Sequence, residues 1–137
     1  MIVHDRHTYL DIDIQKGMKY YNTKMIGPGL LESVYHRCLL QELDLRGINY
    51  TSQLVVPVRY KGIEFGTPLK CDLFVEDILP VELKSVDCIL PIHKAQLLTY
   101  MSLLSAPKGL LLNFNVTNLF KEGQFTMVND YYRDLLD

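Results

Sequence analysis

The chain has 137 residues, 48% of them hydrophobic and 22% charged, which suits a single globular domain able to enclose a real core. A formal net charge of −2 and a pI near 6.1 exclude a general field that would gather polyanions, so a nucleic-acid partner would have to be met locally. Three cysteines without C-x-x-C spacing (Cys38, Cys71 and Cys88), no leader-like start and no apolar stretch near the roughly 20 residues of a membrane span point to reduced thiols in a cytoplasmic protein without a membrane partner.

Residues 1–8 read as a flexible tail and residues 9–137 as one domain. Ile14, Met18, Tyr21 and Met25 recur at spacings of four, three and four, which predicts an amphipathic helix over about 9–25, ended by Gly27-Pro28-Gly29. A second helix is expected over about 29–46, with Pro28 suited to its first turn and Gly47 to its stop. Leu31, Val34, Tyr35, Cys38, Leu39 and Leu43 form its apolar face, and at roughly 100° per residue Glu32 projects inside that face. Glu42 does too, so position alone does not single out Glu32.

Runs rich in β-branched and aromatic residues follow at 53–60, 63–66, 70–75 and 78–84, and turns at Lys61-Gly62 and Glu76-Asp77 make them antiparallel neighbours. Pro91 opens a helix over about 92–105, ended by Pro107 and Gly109. A strand over 110–116 and a turn at Lys121-Glu122-Gly123 lead to a last strand near 124–128. The resulting order, ααβββ(β)αββ, is an α/β fold with a mixed β-sheet flanked by helices.

The stretch CDLFVEDILPVELK, residues 71–84, places Asp72, Glu82 and Lys84 in segments that otherwise read as core strands. Positions two apart on a strand share a face, so Glu82 and Lys84 point one way while Val81 and Leu83 point the other. Asp72 joins them only if it lies opposite Glu82, which requires an odd loop such as Glu76-Asp77-Ile78, or a bulge; a two-residue turn would set Asp72 against Val81. Two carboxylates converging without His or Cys nearby in sequence suit a hard cation such as Mg²⁺ (or Mn²⁺). Such an ion polarises a phosphodiester and acidifies a bound water, with Lys84 placed to orient that water or offset charge on the phosphate oxygens. A solvated strand face carrying a surface ion pair is the competing meaning of the same spacing.

The stretch GPGLLESVY, residues 27–35, resembles the signature of the GxxExxY family, with Gly29, Glu32 and Tyr35 at the named positions. CDLFVE, PVELKSV, PIHKAQLLTY and GLLLNFNV resemble that family's later blocks in the same order, over about residues 10–128. The family is similar to the PD-(D/E)XK nuclease superfamily, so the resemblance implies a restriction-endonuclease-like αβββαβ core. It implies a metal-binding role for Asp72 and Glu82, the lysine role for Lys84, and for Glu32 the first-helix glutamate that completes the metal site. Gln96 and Tyr100 match a Q-x-x-x-Y element; four residues apart, they share one helical face and are placed to orient the lysine, to contact a nucleic-acid strand, or to pack a helix edge on the sheet. Two departures stand out: Pro80 sits where a strand amide is expected, and Lys70-Cys71 replaces the proline that usually precedes the aspartate.

Outside this set, His93 stands near Gln96 as a phosphate contact or a surface histidine, and Asn113 and Asn115 line a polar strand face that closes the site or meets solvent. Arg59, Lys61 and Lys70 offer a modest basic rim, diluted by Glu64 and Glu76. The expected function is a metal-dependent phosphodiester hydrolase of nuclease type, acting on DNA in preference to RNA. A noncatalytic nucleic-acid or nucleotide-binding module on the same fold is the alternative, and a scaffold in which Glu82 and Lys84 merely pair is a third reading. One small acidic domain offers a duplex little surface, which makes a homodimer the assembly to expect.

Overall fold

A computed structural model of the chain describes residues 29–64, 69–117 and 119–129; the expected tail and the expected helix over 9–25 lie outside these residues. The described elements are α1 (Glu32–Leu45), β1 (Tyr50–Val56), β2 (Arg59–Tyr60), β3 (Ile63–Glu64), β4 (Leu69–Val75), β5 (Leu79–Lys84), α2 (Pro91–Leu103), β6 (Lys108–Asn113), α3 (Leu119–Glu122) and β7 (Gln124–Val128). The order is that of an α/β fold with a restriction-endonuclease-like core.

Five strands form one mixed sheet in the order β1-β4-β5-β6-β7, in which only β5 and β6 run parallel. A parallel pair cannot be joined by a tight turn, and α2 supplies the crossover between them. Helices cover both faces. On one face Tyr35, Leu39 and Leu43 of α1 pack with Leu73, Val75, Val81, Leu83, Leu110 and Leu112. On the other, Leu97 and Met101 of α2 pack with Ala106 and Leu111. The run Leu110-Leu111-Leu112 is apolar at every position because both faces of β6 are covered. Gly109 permits the close approach of α2: a Cβ there would stand 2.8 Å from Met101 Sδ and 3.0 Å from Leu97 Cδ1.

Several sequence expectations need correction: the strand expected over 110–116 runs over Lys108–Asn113, and most of the turn expected at 121–123 belongs to α3. The strand expected over 53–60 is two elements, because Pro57 follows Val56 and removes the amide that a continuing ladder would use. β1 therefore starts earlier, at Tyr50, and Arg59-Tyr60 instead pairs with Ile63-Glu64 in a separate two-stranded ribbon. The expected apolar face of α1 is also narrower than its periodicity implies. Only Tyr35, Leu39 and Leu43 are buried, whereas Leu31 is 75% exposed and Glu32 lies in an exposed first turn rather than inside the packed face.

The β4–β5 connection has the odd length that the site requires. Leu73 pairs with Val81, Phe74 with Pro80 and Val75 with Leu79, leaving Glu76-Asp77-Ile78 as the loop. Glu76 (φ 53°) and Asp77 (φ 55°) both adopt left-handed conformations, and the Ile78 amide donates to the Val75 carbonyl at 3.0 Å. Pro80 does not disturb this register, because the parallel pairing with β6 begins one residue later, at Val81.

Candidate functional site

One residue beyond the Leu73–Val81 pair, the β4–β5 ladder gives way to side chains. The Asp72 backbone amide donates to Glu82 Oε1 at 3.1 Å, and the Leu83 amide donates to Asp72 Oδ2 at 2.9 Å. Each carboxylate thus replaces a backbone carbonyl as acceptor across the strand boundary, and the two acids are drawn together. The opposite edge of β4 is irregular at the same level. Ser52 pairs with Leu73 and Leu54 with Cys71, but the intervening Gln53 adopts φ 54° and its pairing with Asp72 is skipped. The facing of β4 also changes here. Cys71 packs with Val56 and Tyr100 on the α2 side, whereas Leu73 and Val75 join the core under α1.

Electrostatics follow from this geometry. Glu82 is only 5% exposed, and burial, followed by the adjacent Asp72 carboxylate, pushes its carboxyl up to about 8, with Lys84 pulling the other way. Burial and then the charges of Glu82, Cys71 and Asp72 push the Tyr100 phenol up to about 12. It therefore stays a neutral O–H beside the acidic pair. Burial first, then the Glu82 charge, pushes the Cys71 thiol up to about 12 as well, and its Sγ donates to the Leu73 carbonyl at 3.2 Å.

The start of α1 is tied to the end of β5. Ser85, next to Lys84, donates its hydroxyl to the Leu30 carbonyl at 2.8 Å, while the Leu30 amide donates to the Tyr35 hydroxyl at 3.2 Å. Tyr35 is in turn fixed by stacking on Phe114, with centroids 4.7 Å apart and planes at 10°. Gly29 enters this turn at φ 100°, a conformation that side chains strongly disfavour. The spacing of Gly29, Glu32 and Tyr35 has a physical basis here: glycine makes the bend, the tyrosine hydroxyl closes it, and the glutamate is carried toward the β5 end. Partial burial and the Asp72 charge raise the Glu32 pKa, while Lys84 lowers it, which puts Glu32 within electrostatic reach of both.

The site expected from sequence is thus assembled in part. Asp72 and Glu82 are in direct apposition, and Lys84 and Glu32 act on them across the same end of β5. Tyr100 of α2 lies within electrostatic reach of the pair. Gln96 is exposed one turn earlier on the same helix. Among the described residues, no group of three or more His, Cys, Asp or Glu side chains stands at metal-holding distances. The donor set is nevertheless all oxygen, and a buried carboxyl raised to about 8 beside a second acid holds a proton at neutral pH unless a cation takes its place. These residues fit a hard divalent ion.

Other candidates have structural employment. Asn113 is 2% exposed; its Oδ1 accepts from the Val86 amide (3.1 Å) and the Asn115 amide (3.3 Å), and its Nδ2 donates to the Val86 carbonyl (2.9 Å). It pins the β5–α2 loop to the end of β6, and Asn115 donates to Asp87 at 3.3 Å. His93 Nδ1 accepts from the Leu90 amide at 3.0 Å and caps α2. Arg59 of the expected basic rim is paired with Glu64 at 3.7 Å. Ser85 and Gln53 carry no sequence signal of their own, since a serine after a strand and a glutamine within one are unremarkable until their backbone neighbours are placed.

No helix among the described residues is long and apolar enough to cross a membrane. No curated protein matches the chain. The crystal structure of SSO0001 shares its fold at a TM-score of 0.53 and 21% identity, over 71% of this chain and 49% of the other, so the chain spans about half the length of that protein. Residues 12–125 match the PD-(D/E)XK nuclease superfamily, a span that includes every site residue described above, and the chain belongs to that superfamily.

Proposed function

We propose that the chain is a metal-dependent phosphodiester hydrolase acting on nucleic acid, of the GxxExxY type within its superfamily. The observation that carries this reading is the exchange of hydrogen bonds at Asp72 and Glu82, where a sheet gives up ladder pairing to bring a half-buried carboxylate against a buried one. Such an arrangement raises the energy of the ion-free fold, as expected of a functional site. Asp72 and Glu82 would hold Mg²⁺ or Mn²⁺, with Glu32 completing the set from α1. When bound, the ion would polarise the phosphodiester and lower the pKa of a water. Lys84, half-buried at the end of β5, orients the attacking water or offsets charge on the phosphate oxygens. Tyr100 offers an O–H that does not ionise near neutral pH, and Gln96 an exposed amide for the passing strand. DNA is the favoured substrate.

The test is thermal unfolding with and without Mg²⁺ or Mn²⁺. Metal at about 100 times its dissociation constant should stabilise the fold by about 2.7 kcal/mol, and Asp72→Asn should abolish that gain together with cleavage in a screen of single-stranded, duplex and branched DNA and RNA. A metal-indifferent melting curve would exclude this reading. Oligonucleotide binding without cleavage in any metal would establish instead the alternative, a noncatalytic nucleic-acid-binding module.

A further inference from the structure

The β2–β3 ribbon takes no part in the described core. It is a two-stranded sheet of its own, made of Arg59-Tyr60 and Ile63-Glu64. Isolated two-stranded ribbons are marginal in water, yet this one is closed by a tight turn. Lys61 (φ 49°) and Gly62 (φ 81°) are both left-handed, the signature of a two-residue type I′ connection. Tyr60 and Ile63 pair directly across the ribbon and are 62% and 64% exposed, so its two apolar side chains are displayed rather than buried. Lys61 Nζ lies 5.4 Å from the centre of the Tyr60 ring. The only anion on the ribbon, Glu64, is drawn to Arg59 in an exposed pair that contributes little energy.

Its location is informative. The ribbon leaves the sheet between the end of β1 at Val56 and the start of β4 at Leu69. β4 and β5 run antiparallel, so the start of β4 at Leu69 lies toward the end of β5 at Lys84. The ribbon therefore stands at the end of the sheet where Lys84 and Glu32 gather.

We propose that this ribbon is a stacking platform for an unpaired nucleic-acid strand, with a base on the Tyr60 ring and the adjoining phosphate on Lys61, delivering that strand to the acidic pair. This inference rests on the nucleic-acid reading above. A chain of net charge −2 gains little from general electrostatic attraction. Stacking needs no such field and accepts any base. An aromatic ring displayed beside a cation is the chemistry that recognises an unstacked base, and duplex DNA, whose bases are stacked internally, offers it nothing comparable.

The experiment measures binding of the full chain to a fluorescein-labelled single-stranded DNA 20-mer and its duplex, by anisotropy in EDTA and again in CaCl₂, with cleavage followed separately in MgCl₂. Wild type should prefer the single strand. Tyr60→Ala should weaken that binding about tenfold, Tyr60→Phe should preserve it, and Lys61→Ala should lower the salt slope by about 0.7. All three should melt like wild type, since the ribbon lies outside the core. Equal binding by wild type and Tyr60→Ala, or no single-strand preference, would overturn the platform while leaving hydrolysis standing if DNA is still cut. Ring-dependent binding without cleavage in any metal would support the platform and sink the hydrolase. A Tyr60→Ala effect confined to sedimentation behaviour would make the ribbon a contact between copies and overturn the proposal.

Discussion

At the scale of single residues the decisive quantity is the free energy stored between Asp72 and Glu82. A carboxyl raised to about 8 in the folded chain has an ordinary value near 4 once unfolded. Below about pH 4 both states carry the proton, and the stability conferred by the raised pKa is fully present. As pH rises toward 8 the unfolded chain releases a proton that the folded chain keeps, so stability falls, and it levels off above the folded pKa. The loss should amount to a few kcal/mol in total, titrating as a property of the acid pair rather than of either residue. Glu32, raised as well, tilts the curve the same way. Urea midpoints at pH 5, 6.5 and 8 in EDTA should therefore decline steadily, and saturating Mg²⁺ should flatten the decline. Asp72→Asn removes the neighbouring charge while keeping an oxygen for the Leu83 amide, so it should raise stability at pH 8 in EDTA even as it abolishes the metal response. A midpoint that climbs from pH 5 to pH 8 would contradict this account of the pair.

At the scale of elements the question is what keeps β1 from closing on Asp72. Gln53 stands level with it and holds φ 54°, a conformation that costs a non-glycine residue roughly 1–2 kcal/mol. Its side chain turns toward α1, where Gln53 Nε2 lies 3.5 Å from His36 Nδ1 and His36 Nε2 meets Ser52 Oγ at 3.0 Å. If this kink positions Asp72, then Gln53→Gly should keep the metal response and gain stability, because glycine accepts the conformation freely. Gln53→Val should lose stability and weaken the Mg²⁺-dependent melting shift, because a β-branched residue resists it. Both variants delete the amide side chain, so the contrast isolates the backbone; a valine variant that responds to Mg²⁺ like wild type would remove Gln53 from the site. Nothing in the sequence marks this kink, since glutamine has no preference for a left-handed backbone. The β4–β5 loop was legible for the opposite reason. Strand alternation allows Asp72 to face Glu82 only across an odd connection, and the loop has three residues. The α1 and α2 helices, β4, β5 and β7 were likewise carried by periodicity and turn residues. The short helix α3 was not, because four residues are too few to show a period, and the burial of Asn113 depends on loop contacts that no local pattern contains.

At the scale of the whole molecule the sheet separates two cores, one under α1 and one under α2, and the acidic pair sits where β4 changes its facing between them. Cysteines report on these layers independently. Cys88 is exposed beyond β5, Cys38 is half-buried on α1, and Cys71 is fully buried against Tyr100 beneath α2. With its thiol pushed up to about 12, only about one molecule in ten thousand would carry a Cys71 thiolate at pH 8 even if reagent could reach it. Iodoacetamide at pH 8 should therefore modify Cys88 first and Cys38 more slowly, and should reach Cys71 only when the α2 layer opens. Because Glu82 and Tyr100 flank Cys71 and also belong to the proposed site, Mg²⁺ should slow Cys71 labelling further by stabilising the closed fold, and Asp72→Asn should remove that protection. Mass spectrometry of the alkylated peptides follows all three thiols in one experiment. Native-state modification of Cys71 as fast as that of Cys88 would mean that α2 lifts from the sheet freely, and an acidic pair open to water in that way would lose the burial on which its raised pKa depends.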